Sequence, residues 1–147
     1  MDIHNLENII PAIVIITISV VVFAKIARGG GWGALAKKYP AKTKPEGDKF
    51  RGQSAEFSTF VRYRNCLTVI LCEQGIYVTL AIIVPIGKSF MVPWTSVKRA
   101  QVEKYAFVKS CVLTIEDQAC KFYLVMNLKA ESAIAKYHKV SHSDFDE

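Results

Sequence analysis

The first 24 of the 147 residues contain no lysine or arginine, and the 17 residues from Asn8 to Ala24 carry no charge of either sign. A secretory signal needs a positively charged start ahead of its apolar run, and Asp2, His4 and Glu7 give this amino terminus the wrong sign for one. No Cys-x-x-Cys knuckle occurs among Cys66, Cys72, Cys111 and Cys120, whose spacings of 6, 39 and 9 match no common zinc module. A phosphatase-type loop needs arginine six residues after its cysteine, but those positions hold Cys72, Val78, Asp117 and Met126. Gly-x-Ser-x-Gly is absent, and His4, His138 and His142 stand near no serine or cysteine in a nucleophile elbow. Gly87-Lys88-Ser89 lacks the first glycine of a phosphate-binding loop, because that position is Ile82. The pairs Glu46/Asp48 and Glu116/Asp117 fall in predicted linker or turn positions, where acidic residues are common for solubility. No catalytic, cofactor or metal site is therefore expected, and the chain reads as a non-enzyme.

What is present is unevenly placed. Hydrophobic residues make up 51% of the chain, which rules out disorder. All 19 basic residues lie from Lys25 onward, so a net charge of +8 there faces −2 before it. The uncharged run spans roughly 26 Å as a helix, and snorkelling of Lys25 extends it towards the ~20 residues that a bilayer needs. Residues 8–27 are accordingly expected to form a transmembrane helix, with Pro11 in its first turn and Thr17 and Ser19 bonded back to the preceding turn. The positive flank predicts residues 1–7 outside a cell membrane, inner or plasma, and the carboxyl-terminal part in the cytoplasm. Free cysteines agree with a reducing compartment.

Residues 28–48 read as a basic linker with a short amphipathic turn ended by Pro40, after a helix break at Gly29-Gly30-Gly31-Trp32-Gly33. Eight basic and two acidic residues between Lys25 and Arg51 give this stretch a local +6. Lys25, Arg28, Trp32, Lys37, Lys38, Lys42 and Lys44 form the candidate surface for a bilayer and its anionic headgroups, with Trp32 at headgroup level. The bland alternative is that they fix topology and solvate a linker. No nucleic-acid motif accompanies the charge.

From residue 49 the pattern becomes that of strands: Phe57–Tyr63, Leu67–Cys72, Ile76–Val84, Phe90–Trp94, Val108–Ile115 and Lys121–Met126. Glu73-Gln74-Gly75 and Glu116-Asp117-Gln118-Ala119 read as hairpin turns, and Pro85-Ile86-Gly87-Lys88-Ser89 as a longer loop. Cys111, Leu113 and Ile115 share one face, opposite Phe122, Leu124 and Met126, while Val112 and Val125 make the second face apolar as well. Residues 128–139 read as an amphipathic helix with Leu128, Ala130, Ala133, Ile134 and Tyr137 on its stripe. The expected fold of 49–139 is a mainly-β, antiparallel, partly open barrel with a carboxyl-terminal helix, followed by an acidic tail over 140–147.

Gly31-Trp32-x-x-Leu35-Ala36-x-x-Tyr39-Pro40, then Gly75-Ile76-Tyr77-Val78, then Val92-Pro93-Trp94-x-x-Val97 resembles a group of small bacterial single-pass membrane-anchored proteins of unknown function. The order of the later part is similar to PH-like and GRAM-like domains, which the resemblance implies would bind lipid headgroups or peptides. No compact Arg/Lys cluster in one hairpin loop marks a phosphoinositide site, and Trp94 reads as core packing. The functional expectation is a non-enzymatic binding module for a protein or lipid partner. Its rival is a membrane-associated enzyme using Cys66 or Cys72, with Arg62 and Arg64 lowering the thiol pKa.

Overall fold

The computed structural model describes residues 3–29, 31–57, 61–80, 89–105, 107–118 and 120–142, with the side chains of 3–8 and 23–29 left undescribed. Helix α1 is Ile3–Gly29 and helix α2 is Trp32–Lys38. Because α1 begins ahead of residue 8, Pro11 lies inside it and not in its first turn. Thr17 Oγ1 and Ser19 Oγ donate to the carbonyls of Ile13 and Ile15, both at 2.8 Å, as expected. The membrane-anchor reading is corrected here: among the described residues, no helix is long and apolar enough to cross a membrane. The side chains described on α1, those of 9–22, are all exposed.

Eight strands follow: β1 Asp48–Glu56, β2 Arg62–Cys72, β3 Gly75–Leu80, β4 Phe90–Val92, β5 Val97–Tyr105, β6 Val108–Glu116, β7 Lys121–Asn127 and β8 Val140–His142. They form one sheet in the order β4-β3-β2-β1-β7-β6-β5-β8, antiparallel except for the β5–β8 pair. The sheet is curled and partly open. β1 pairs with β2 from end to end (Asp48 with Leu71, Glu56 with Arg62), and its last residues also pair with β7 on the other side (Ser54 with Val125). A 3-10 turn over Leu128–Ala130 leads into helix α3, Glu131–Ala135, which buries Ala133 and Ile134 in the core.

The β6–β7 hairpin matches its sequence pattern, with Leu113 opposite Leu124 and Ile115 opposite Phe122, all four fully buried. Other expectations shift. Phe57 is not in a strand; its N–H donates to Val61 O at 3.0 Å in the connection between β1 and β2, which leaves 58–60 outside the described residues. The end of the expected 76–84 strand and most of the 85–89 loop also lie outside them. Within the expected tail, Val140–His142 adds a strand on β5, with Val140 opposite Ala100.

An aromatic cluster holds α2 on the sheet. Trp32 lies 4.8 Å from Phe90 in an edge-on contact and 5.3 Å from Tyr63, and Phe57 stacks on Phe122 at 4.8 Å between ring centroids. The far end of α2 is fastened by Asp117, in the turn between β6 and β7. Its buried carboxylate accepts hydrogen bonds from Tyr39 Oη and Lys38 Nζ, which raises the Lys38 pKa. Asp117 was expected only to solubilise a turn; its 4% exposed side chain shows otherwise. Asp117→Asn is expected to lower Tm by a few degrees, since the charged acceptor of the Tyr39 hydrogen bond is lost. A thermal melt read by circular dichroism checks it. The raised Lys38 pKa gives a pH signature: its contribution is complete below pH 10.5 and is lost as pH rises through the higher folded-state value.

Candidate functional site

The irregular register of β1 borders a groove. Gly52 adopts a left-handed φ of +67°, and the register with β2 slips on both sides of Gln53. Such bulges kink a strand and redirect its side chains. Gln53 is 3% exposed and spans the resulting gap: its Oε1 accepts from Asn127 N–H at 2.8 Å, and its Nε2 donates to Arg51 O at 2.5 Å. Across from it, Asn65 in β2 has a positive φ of 52°, and its N–H donates to Ser54 Oγ at 3.0 Å. Two strands thus bend together and leave a concavity of about 650 Å³.

Arg51, Arg62 and Arg64 line this groove, with Glu56, Ser54, Asn65, Tyr105 and the apolar floor residue Val125. Three guanidiniums face one carboxylate. Glu56 accepts from Arg62 Nη2 and from Tyr105 Oη, both at 3.2 Å. The second bond crosses from β5 to β1, over two intervening strands, which measures how tightly the sheet curls. Burial, followed by the Glu56 charge, pushes the Tyr105 pKa up, so the hydroxyl remains a donor at neutral pH. Arg51 and Arg64 have no carboxylate partner among the described residues. Arginine presents a planar fork suited to carboxylate and phosphate oxygens, and two such forks beside a polar cleft make an anion receptor.

The structure describes the side chains of five of the seven residues expected to hold headgroups. Trp32 is 4% exposed in the aromatic core, so its headgroup-level assignment is corrected: the α2 helix turns the indole inward against Phe90. Lys38 is engaged by Asp117. Lys37 and Lys42 are exposed. Lys44 lies against Lys49, whose pKa its hydrogen-bonding contact drives down to about 8, with burial and the Arg51 charge adding to the effect. The side chains of Lys25 and Arg28 lie outside the described residues.

Trp94 packs as expected: its indole N–H donates to Cys72 O at 2.8 Å and its ring stacks on Tyr137 at 5.0 Å. Burial pushes the pKa of Cys66 and Cys120 up, and that of Cys111 up to about 11. Arg62 and Arg64 point their charge to the groove, whose lining includes no cysteine.

The groove is missed by pattern reading because Arg51 falls within the count of basic residues from Lys25 to Arg51, Arg62 on the expected Phe57–Tyr63 strand and Arg64 between that strand and the next. Gly52, just ahead of an alternating Ser54-Ala55-Glu56, is the one signal of a bulge. Neither a family model nor a curated protein matches the chain. That finding, with the missing span, overturns the resemblance to membrane-anchored proteins. Its motif residues are accounted for by packing: Trp32 and Leu35 in the core, Gly75 beneath β4, and Trp94 on Tyr137.

Proposed function

We propose that this protein is a non-enzymatic binding module that receives an anionic group of its partner in the groove lined by Arg51, Arg62 and Arg64. The observation that carries the reading is the pair of guanidiniums, Arg51 and Arg64, without a carboxylate partner among the described residues, on a concavity of about 650 Å³ where the carboxylate of Glu56 is already occupied by Arg62 and Tyr105. Gathering like charges on one groove costs folding stability, and an anionic ligand relieves that cost. The oxyanion chemistry is common to a phosphorylated or acidic protein segment and to a lipid headgroup. A PH-like arrangement of the half-barrel fits the strand order from β4 through β1 to β7, β6 and β5, with the carboxyl-terminal helix packed on its core. The rival cysteine chemistry would need a thiolate near neutrality, and burial raises the Cys66 value, which favours its protonated form.

Inorganic pyrophosphate tests the groove directly. Calorimetric titration of the full chain is expected to show saturable binding that weakens as salt rises. The Arg51→Gln/Arg64→Gln double variant should bind about a hundredfold more weakly or worse, because charged hydrogen bonds of ~1.5–3 kcal/mol are lost at each position. Equal binding by the variant at an unchanged Tm would remove the groove from consideration.

A further inference from the structure

Beside the groove, the β5–β6 hairpin carries three features that work against its own stability. Tyr105 pairs with Val108, so the connection has two residues, and the second, Phe107, is 93% exposed. It holds a φ of +70°, a conformation that suits glycine in such turns and is costly for a bulky side chain. Val108, next to it, is 64% exposed. On the first pair behind the tip, Lys104 stands directly opposite Lys109, both exposed and neither with a carboxylate partner among the described residues. Like charges facing each other across strands destabilise a sheet. Among the described residues, no core contact explains Phe107 at such a position.

We propose that this hairpin is a peripheral docking tip for an anionic lipid surface, with Phe107 and Val108 entering the interface and Lys104 and Lys109 meeting the headgroups. Shape and charge together select this occupant. A convex tip of two apolar residues offers far less than the ~800 Å² per partner of a stable protein contact, whereas a yielding interface accepts a single aromatic. The paired lysines flank the tip where acidic headgroups lie, each basic residue contributing about fivefold in affinity there. Tyr105 and Val108 also line the groove, so a docked tip brings Arg51, Arg62 and Arg64 towards the same surface. This mode needs no membrane-crossing segment. It goes beyond the groove reading and does not depend on it.

A local probe separates the tip from every other part of the full chain. In Phe107→Trp, the introduced indole is expected to shift to shorter emission wavelength and to be quenched when vesicles of phosphatidylcholine with about one third phosphatidylserine, brominated on their acyl chains, are added. Trp32 and Trp94, in the core and stacked on Tyr137, provide the unquenched background, measured on the parent chain. Pure phosphatidylcholine vesicles should leave the emission of the introduced indole unchanged. Adding Lys104→Gln and Lys109→Gln should weaken the vesicle response about thirty-fold while leaving Tm equal or higher, since a repulsion is removed. An introduced indole whose emission stays the same with anionic vesicles would overturn the proposal and point to a protein partner. An equal response to neutral vesicles, or one indifferent to the two lysines, would overturn it too. Pyrophosphate binding serves as the independent readout of the groove: its loss with quenching at the tip retained, or the reverse, shows which of the two readings has failed.

Discussion

Trp32→Ala is expected to cost the protein about 3–5 kcal/mol, a loss typical of a large aromatic removed from a packed core. The residue is 4% exposed and touches three other rings: Phe57 at 5.9 Å, Tyr63 at 5.3 Å and Phe90 at 4.8 Å. Those rings come from the β1–β2 connection, β2 and β4, so a single side chain joins α2 to three separate parts of the half-barrel. Leu35, fully buried one turn along, cannot replace it, because no other aromatic of α2 reaches the cluster. Unfolding in urea should show a lower midpoint, with the slope preserved if the domain still unfolds as one unit. Near-native stability of the variant would place the indole at a surface and restore the headgroup assignment that its burial excludes.

Gly75→Ala is the second large effect. A Cβ at this position would lie 2.2 Å from Val92 O and 2.9 Å from Val92 C, backbone atoms of β4 that no rotamer change can move aside. Gly75 opens β3 opposite Cys72, and Ile76 beside it pairs with Val92. The strand pair would have to separate where Trp94 also bonds to Cys72 O. Overpacking typically costs about 1–3 kcal/mol, and a backbone obstruction lies at the upper end. The same urea experiment reads it, together with weaker amide protection in β4; a midpoint equal to the parent's would show that β4 can move away freely.

How far the sequence foretells this molecule depends on whether a strand keeps its period. The β6–β7 hairpin does, and Cys111, Leu113, Ile115, Phe122, Leu124 and Met126 are buried as their alternation implies. β5 does not: a register shift between Val97 and Arg99 breaks the alternation of Val97, Ala100 and Val102, and its charged residues mask it as a loop. β1 is hidden for the same reason, its two bulges interrupting any two-residue repeat. Both strands frame the groove, so the site is made of the very irregularities that periodicity cannot report. Trp32 illustrates a different failure. Composition places a tryptophan beside an apolar run and basic residues at an interface, yet only the tertiary arrangement brings Phe57, Tyr63 and Phe90 around it. Asp117 is similar, a turn residue until Lys38 and Tyr39, nearly 80 positions away, close on it.

The most direct test of the central claim follows the arginine side chains themselves. In full-length protein with nitrogen-labelled arginine, titration with inorganic pyrophosphate should shift the Nε–H signals of Arg51 and Arg64 along one saturation curve, with Arg62 following. Arg99, on β5 and absent from the groove lining, should stay in place. Signals of Arg51 and Arg64 that do not move, or that move no more than that of Arg99, would contradict the assignment of the groove as the binding site.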